Sequence, residues 1–329
     1  MILSRAALEG RISYEDLTDT AYSCMLCGFC NAKCALYPVD VFIALRCEIW
    51  RRGLAPEGIM RVVSNIVEHD NPYGFRRDER GSWANSVTGK GSALFFPGCV
   101  YAFLYPKILR SSYELLRRIG VDVAYIPEAD HCCGYPAYIA GDFETFQKIA
   151  HRNYRVWKSL GIKSIYTPCP GCYKTLSKHY PEFVDAFDID VRHVMLSIHE
   201  AYDSGRVSFE RKYGVVTYHD PCELTRYMHV VEEPRKLIEA ISSDFVEMEY
   251  HGYFSRCCGG GGLVSAYKPS LYLAASTRRV AEAVATGAEI LTTYCPTCDR
   301  TLQKGIKKAK AKITLMDLGE LLLRALITQ

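Results

Sequence analysis

Cysteine is the residue type in this sequence that is best suited to do chemistry. The chain of 329 residues contains 15 cysteines, an odd number that cannot pair completely within one chain. A protein of this size needs no disulfide bonds to stabilise its core. Thiolates also bind zinc, copper(I) and iron–sulfur clusters. The spacing of the cysteines therefore has to decide between these uses.

Ten of the cysteines form a motif that occurs twice. Each copy has a single cysteine, then an adjacent pair, then two cysteines separated by two residues. The copies are Cys99, Cys132, Cys133, Cys169 and Cys172, and Cys222, Cys257, Cys258, Cys295 and Cys298. The offset between them is 123 residues at the first cysteine, 125 at the adjacent pair and 126 at the last two. Cysteines that served only as small apolar core residues would have no reason to repeat in this way.

Short apolar segments that alternate with helical stretches position these cysteines. Strands are predicted at 93–96, 121–126, 164–167, 191, 215–218, 245–250, 290–293 and 313–315. Helices are predicted at 105–119, 142–160, 193–202, 271–285 and 317–327. This alternation is typical of α/β proteins with parallel sheets and right-handed crossovers.

Each cysteine group follows the carboxyl end of a predicted strand, which is the edge where ligands bind in open parallel sheets. Three strand ends therefore bring five thiols together in each half of the repeat. Buried thiolates without a metal would repel one another, so we expect a bound metal. Because zinc or a cubane cluster takes four protein ligands, the fifth cysteine is either a spare or part of an unusual cluster.

Glycines next to the adjacent cysteine pairs favour a site with several irons. A tight turn at these glycines can aim two neighbouring thiolates at different irons, and backbone N–H groups can come close enough to hydrogen-bond to sulfide. The glycines predicted to contact the cofactor are Gly134, Gly259, Gly260, Gly261 and Gly262. His131 and His219 also lie near ligand cysteines in the sequence, and we expect them to form hydrogen bonds there rather than to bind metal.

The remaining cysteines lie within the first 64 residues, which are predicted to be mostly helical. Cys24, Cys27, Cys30 and Cys34 have the C-x₂-C-x₂-C-x₃-C spacing of a ferredoxin site. Cys47, in a helix predicted at 39–52, is the only other cysteine of this segment. We expect the first three to hold a cubane [4Fe-4S] cluster with Cys34 or Cys47 as the fourth ligand. Zinc is the alternative metal.

The duplicated motif resembles the cysteine-rich CCG domain, which occurs in the B and D subunits of heterodisulfide reductase and in the iron–sulfur subunits of glycolate and lactate oxidases. The connector, with Asn71-Pro72-Tyr73-Gly74, Arg80 and Trp83-Ala84, is similar to that of the same superfamily. In heterodisulfide reductases, each complete motif binds a non-cubane [4Fe-4S] cluster, and the two clusters cleave a disulfide between them. Both motifs are complete here, so the resemblance implies two such clusters and a catalytic role for the ten cysteines. In some relatives one motif holds zinc instead.

The repeat and the resemblance together imply an α/β protein with two Rossmann-like CCG domains, each built on a parallel sheet, after a small helical ferredoxin-like segment. The predicted divisions are the helical segment 1–64, a connector 65–92, a first CCG domain 93–205 and a second CCG domain 206–329.

Composition argues against several other classes of protein. The net charge is only +3, from 40 basic and 37 acidic residues, which does not favour a nucleic-acid-binding protein. No uncharged apolar run approaches ~18 residues, so no membrane span is expected. Glu9 and Arg11 come too early in the sequence for a secretory signal. We expect a cytoplasmic protein, either free or held at the membrane by a partner subunit.

These observations predict an iron–sulfur subunit of a heterodisulfide-reductase-like complex that reduces a small disulfide or oxidises two thiols. A flavoprotein or another iron–sulfur subunit would supply the electrons, since no nucleotide loop or flavin site stands out in the sequence. The electrons would pass the N-terminal cubane and reach the paired CCG clusters. Two alternatives stay open. One is an electron relay in a flavin-dependent glycolate or lactate dehydrogenase, and the other is a zinc-stabilised interaction module without a redox role.

Overall fold

A computed structural model gives the fold and describes residues 2–84 and 92–327. The chain begins with the helices α1 (Ile2–Leu8), α2 (Tyr14–Ser23), α3 (Pro38–Arg51) and α4 (Glu57–His69), followed by a 3-10 helix, Arg77–Ala84. The helical prediction for the first segment is therefore confirmed. Helix α4 continues past residue 64 into the predicted connector, and residues 85–91 of that connector lie outside the described residues. The predicted domain boundaries stay predictions.

The first half of the repeat is built on a parallel sheet with the strand order β1-β2-β3. Its strands are β1 (Ala93–Phe95), β2 (Ser164–Thr167) and β3 (Asp190–His193). Its helices are α5 (Cys99–Leu104), α6 (Pro106–Arg118), α7 (Tyr135–Ala140), α8 (Phe143–Ser159), α9 (Pro170–Lys174), α10 (Tyr180–Phe183) and α11 (Val194–Asp203). A 3-10 turn, Pro127–Ala129, precedes α7, and a π-helical turn, Thr175–His179, joins α9 to α10.

The second half is built on a four-stranded parallel sheet with the order β6-β5-β7-β8. The strands of this half are β4 (Ser208–Phe209), β5 (Tyr213–Tyr218), β6 (Ser242–Phe245), β7 (Ile290–Thr293), β8 (Thr314–Asp317) and β9 (Leu326–Ile327), of which β4 and β9 form a separate antiparallel pair. The helices are α12 (Cys222–Thr225), α13 (Glu232–Ile241), α14 (Val264–Tyr267), α15 (Pro269–Ala285), α16 (Pro296–Ala309) and α17 (Leu318–Ala325), with a 3-10 turn at Gly252–Phe254.

Two of the predicted strands differ from the observed ones. The segment 121–126 contributes a single bridge, in which Ala124 pairs with Leu94 beside β1. A tight turn that joins the backbone N–H of Val123 to the carbonyl of Val121 precedes this bridge, and the turn at Pro127 follows it, so little of the segment can extend. The sequence also predicts a strand at 245–250, but β6 ends at Phe245. The apolar Met248 is buried in a small core beside Cys258 instead.

The two halves pack through equivalent helices. Helix α6 of the first half contacts α17 of the second, and α11 of the first contacts α13 of the second. Because α6 corresponds to α13 and α11 to α17 in the repeat, the interface is self-complementary, as across a two-fold axis. One apolar core runs through this interface and contains Phe95 and Leu109 together with Tyr218 and Leu318. The shared core fixes the two sheets relative to each other. Among the described helices, none is both long and apolar enough to span a membrane.

Candidate metal centre

The first cysteine set gathers where the first sheet ends. Cys99 begins α5 directly after β1, and Cys169 caps α9 after β2. The Sγ atoms of Cys133 and Cys172 lie 3.5 Å apart, and further thiol contacts join Cys99 to Cys132 and Cys169 to Cys172. The structure therefore brings all five predicted thiols of this set together.

Glycine makes this close approach feasible at the end of β1. Gly98 has a φ of 74°, which favours glycine, and a Cβ atom there would lie 3.0 Å from Cys172 Sγ. Any other residue would push the strand end away from the thiols.

The buried thiols of the first set share hydrogen bonds and shift one another's pKa. The contact with Cys132, together with burial, raises the pKa of the Cys99 thiol well above its usual value. Contacts with Cys132 and Cys172 lower the pKa of Cys133 to about 6. A group of thiols in which some ionise readily suits metal binding, since the metal binds the thiolate form.

Side chains from the connector support the first set. Arg80 is almost fully buried, forms a 2.8 Å ion pair with Asp130 and donates to Cys99 Sγ over 3.3 Å. Asp70 accepts a hydrogen bond from the backbone N–H of Cys132 and lies 2.8 Å from Nδ1 of His131. His131 thus faces Asp70. The sequence alone indicates no role for Asp70 or for the charge of Arg80, because neither carries a metal-binding motif of its own.

The second set repeats the arrangement at the ends of β5, β6 and β7. The Sγ atoms of Cys258 and Cys298 lie 3.4 Å apart, and thiol contacts join Cys257 to Cys222 and Cys295 to Cys298. Contacts with Cys257 and Cys298 lower the pKa of Cys258 well below its usual value. Like the first set, the second combines five thiols in a space that is largely closed to solvent.

Three of the predicted glycines donate backbone hydrogen bonds to thiol sulfur atoms. The N–H of Gly134 lies 3.5 Å from Cys132 Sγ, and the N–H groups of Gly259 and Gly260 lie 3.3 and 3.4 Å from the Sγ atoms of Cys257 and Cys258. These contacts agree with a role next to the cofactor.

The other two glycines of the run lie against the N-terminal segment. A Cβ atom on Gly261 would lie 2.4 Å from the carbonyl oxygen of Met25, and one on Gly262 would lie 2.2 Å from that of Cys24. Here glycine lets two backbones touch, a role that the sequence pattern does not indicate.

The N-terminal cysteine run packs on the second half of the repeat. The thiol of Cys27 contacts that of Cys257, a contact that lowers the pKa of Cys27 to about 6. Arg226 Nε donates to the carbonyl of Cys27 over 2.6 Å, and the hydroxyl of Tyr227 donates to that of Leu26 over 2.7 Å. The run is therefore held beside the second cysteine set.

The two candidates for the fourth N-terminal ligand lie in different places. Cys34 is close enough to Cys30 to influence its thiol electrostatically. Burial raises the pKa of Cys47, and the charged groups that act on it are Arg51, Glu48 and Asp142 rather than a cysteine. These electrostatic surroundings favour Cys34 over Cys47 as the fourth ligand.

A buried arginine joins the N-terminal segment to both halves. Arg46, on α3, is fully buried, and its guanidinium donates to the carbonyl groups of Ala21, Cys24, Ile139 and Gly262 at distances of 2.7 to 3.0 Å. Burial lowers its pKa to about 10. Nothing in the sequence singles out Arg46, because an arginine on a helix is usually exposed.

Both cysteine sets line one cavity, of about 430 Å³. The thiols in its wall are those of Cys99, Cys132, Cys133, Cys169, Cys172, Cys222, Cys258, Cys295 and Cys298. Tyr135, Ile139 and Leu263 contribute to its apolar wall, and Glu223 and Arg300 contribute charge. The equivalent edges of the two halves therefore open onto the same space.

The donor sets fit iron–sulfur clusters. Each set offers five thiols, one more than a single zinc ion or a cubane cluster takes, and backbone N–H groups point at the sulfur atoms. One smaller group, formed by His219, Cys258 and Cys298, has its donor atoms within 4.8 Å of one another and has the composition of a zinc site.

Comparison with known proteins decides the family. The family model of the cysteine-rich domain, CCG, matches residues 93–177 and 216–303, more than half of the chain. The chain belongs to the CCG family. The resemblance inferred from the duplicated motif is confirmed, and so is the α/β fold with two CCG copies.

Several relatives of this CCG protein are parts of redox enzymes. It is 29% identical over 324 residues to the D subunit of the dihydromethanophenazine:CoB–CoM heterodisulfide reductase of Methanosarcina mazei, and the match covers 95% of this chain and 79% of that protein. It is 29% identical over 309 residues to the B subunit of the fumarate reductase (CoM/CoB) of Methanothermobacter marburgensis, covering 92% and 60%. Identity to the EtfAB:quinone oxidoreductase of Syntrophomonas wolfei is 25% over 337 residues, covering 94% and 47%. The chain is thus an iron–sulfur redox subunit related to oxidoreductases.

The N-terminal site of this CCG protein gives a direct test of its fourth ligand. We expect Cys34→Ser to remove the electron paramagnetic resonance (EPR) signal of the N-terminal cluster, because Cys34 lies within the run, and Cys47→Ser to retain it. Protein prepared anaerobically and reduced with dithionite supplies the spectra. Loss of the signal in Cys47→Ser with retention in Cys34→Ser would reverse the assignment.

Proposed function

We propose that this protein reduces a small disulfide, or oxidises two thiols, as a subunit of a heterodisulfide-reductase-like complex. The proposal places a non-cubane [4Fe-4S] cluster at each five-cysteine set and a cubane at Cys24, Cys27, Cys30 and Cys34. The observation that carries it is the single cavity lined by both sets. A molecule in that cavity can meet both sites at once, which splitting one disulfide requires.

The cavity has the dimensions and lining of a small-molecule site. Its volume of about 430 Å³ lies within the range of ~300–1,000 Å³ that such sites occupy. Tyr135, Pro136 and Ile139 from one half and Leu263 from the other form apolar walls that exclude water around a bound disulfide. The cysteines in its wall then define where the two sulfur atoms of the disulfide have to lie.

A polar network fixes the distance between the halves at the cavity wall. The hydroxyl of Tyr135 donates to Glu223 over 2.5 Å, and Lys174 Nζ lies 2.7 Å from the other oxygen of Glu223 and 3.0 Å from the Tyr135 hydroxyl. Tyr135 and Lys174 belong to the first half, and Glu223 follows Cys222 in the second. Because all three are largely buried, the network holds the two cysteine sets in a constant relative position.

The reaction consumes two electrons and two protons for each disulfide, breaks the S–S bond and releases two thiols. When bound, the clusters supply the electrons one at a time, and a partner flavoprotein or iron–sulfur subunit replenishes them. The contact between Cys27 and Cys257 supports a route from the N-terminal site into the second set. A relay in a flavin-dependent glycolate or lactate dehydrogenase would use this route but would need no cavity between the two sets.

Anaerobic titration separates these two functions. We expect roughly twelve irons per chain, four for each of three clusters, and we expect dithiols to perturb the spectra of the oxidised clusters in the isolated protein. Lactate and glycolate should leave the spectra unchanged, with or without an added flavoprotein. Reduction by a 2-hydroxyacid together with no response to any dithiol would favour the relay. About two zinc ions and no acid-labile sulfide would refute both redox functions.

A further inference from the structure

Phe96 and His219 occupy the same position in the two halves of the repeat. The offset of 123 residues that relates Cys99 to Cys222 also relates these two residues. The backbone N–H of Phe96 donates to the carbonyl of Tyr166 over 2.8 Å, and that of His219 donates to the carbonyl of Thr292, also over 2.8 Å. Both side chains are buried. The sequence and the backbone therefore agree that a histidine replaces a phenylalanine in the second half.

The surroundings of the two side chains differ. The Phe96 ring packs edge-on against Trp157, with 5.9 Å between ring centroids. The His219 ring lies between Arg279 and the second cysteine set. Its Nδ1 is 2.9 Å from Arg279 Nε, and a ring nitrogen lies within 4.8 Å of Cys258 Sγ.

Arg279 fixes the tautomer of His219. A guanidinium has hydrogen-bond donors but no acceptor, so Nδ1 of His219 has to accept the hydrogen bond. In a neutral imidazole the proton then resides on Nε2. Arg279 is itself held in place, since it donates to the carbonyl of Tyr250 over 2.8 Å and to Glu282 over 2.6 Å.

We propose that His219 is a positioning residue that donates its Nε2–H to the sulfur of Cys258 and raises the reduction potential of the second CCG cluster. This inference rests on the iron–sulfur sites of the proposed function. A hydrogen bond to a ligand sulfur stabilises the more negative, reduced state of a cluster. An Nε2 that carries the proton has no lone pair for a metal, so His219 with Cys258 and Cys298 does not form a zinc site.

Other donors approach sulfur atoms at both sets. Arg80 and the N–H of Gly134 donate to the first set, where the N–H groups of Tyr135, Gly171 and Cys172 also approach thiols. The N–H groups of Gly259, Gly260 and Cys298 approach thiols of the second set. The charge of Arg80 is balanced by Asp130, and that of Arg279 by Glu282. His219 therefore adds a side-chain donor to the backbone donors of the second set.

The position of the N-terminal run gives a raised potential of the second cluster a role in electron transfer. Cys27 contacts Cys257 of the second set. Electrons that leave the N-terminal site thus reach the second set before the first. A higher potential at the second cluster favours that first transfer.

Substitution at the two equivalent positions tests the proposal. Redox titration followed by EPR would measure the cluster potentials in His219→Leu and in the matched control Phe96→Leu. We expect His219→Leu to lower one CCG potential by about 59 mV, equivalent to a tenfold change in a one-electron equilibrium, and to leave the other two potentials in place. His219→Gln, which keeps an N–H donor, should restore part of the shift. Phe96→Leu removes only packing and should move none of them.

Unchanged potentials in His219→Leu, or an equal shift in Phe96→Leu, would overturn the role of His219. Pulsed EPR of protein labelled with ¹⁵N-histidine gives an independent readout in the unaltered chain. We expect an exchangeable proton and only weak nitrogen coupling, whereas the strong coupling of a metal-bound nitrogen would overturn the proposal. Iron content distinguishes a failure of the proposed function from a failure of the role of His219. A content too low for three clusters refutes the proposed function, and a full content with unmoved potentials refutes only the role of His219.

Discussion

Replacing either Cys132 or Cys257 with alanine is expected to abolish disulfide reduction. Each residue is the first cysteine of an adjacent pair, and its thiol contacts at least two other thiols of its own set. Loss of a residue that only supports a metal ligand commonly costs 10- to 100-fold. Loss of the ligand itself should therefore reduce turnover by more than ~100-fold. Steady-state assays with a small disulfide and a chemical reductant, performed anaerobically, would measure this effect.

The double variant makes this prediction specific to a shared site. If both sets act on one disulfide, Cys132→Ala with Cys257→Ala should be about as slow as either single variant, because residues that act as a unit show non-additive losses. A relay that receives electrons through Cys257 would instead lose 2-hydroxyacid-dependent electron transfer in Cys257→Ala but retain it in Cys132→Ala. Cys47→Ala, at a buried cysteine outside both sets, is the control and should keep full activity. Half-activity in either single variant would contradict the shared site.

Much of the site could be predicted from the repeat, because its cysteines follow the ends of strands. The short apolar runs at 93–96, 164–167 and 290–293 are strands, and the cysteines after them converge as expected. The same reasoning overestimated the length of strand in the segments 121–126 and 245–250. The first segment contributes a single bridge, and Met248 of the second is buried without joining the sheet. A periodic pattern of apolar residues indicates that a segment is buried, but it cannot by itself show whether the segment pairs with a neighbouring strand.

The contacts between the N-terminal run and the second half could not be predicted from local pattern. Cys27 and Cys257 are far apart in the sequence, and Gly261 and Gly262 have the pattern of a cofactor loop. Their role depends on a backbone that arrives from elsewhere in the chain. The buried arginines could not be predicted for a related reason. Arg46 and Arg80 are charged residues of ordinary composition, and only the fold shows that each is enclosed by acceptors.

Removing the Arg46 side chain is expected to destabilise the junction between the N-terminal segment and both CCG domains. In Arg46→Met, four carbonyl groups that now accept hydrogen bonds from the guanidinium lose their donor. A buried acceptor left without a partner costs ~1–3 kcal/mol, and such costs add incompletely where the structure can relax. We therefore expect the free energy of unfolding of Arg46→Met to fall by about 4 kcal/mol, measured by urea unfolding of the anaerobic protein. Arg46→Lys keeps a charge but lacks the planar array of donors, so its loss should be smaller.

The position of Arg46 also predicts which part of the molecule fails first. Its acceptors include Cys24 of the N-terminal run and Gly262 of the glycine segment that packs on that run. The EPR signal of the N-terminal cluster should therefore weaken in Arg46→Met while the CCG signals persist, and protease should cut the N-terminal segment more readily. Arg61→Met is the matched control, because Arg61 is exposed on the neighbouring α4 and forms an i,i+4 ion pair with Glu57. Its stability should change by less than ~0.5 kcal/mol. Equal stability of Arg46→Met and Arg61→Met would show that the four carbonyl groups find other donors. Arg46 would then not be the residue that holds the N-terminal run against the second cysteine set.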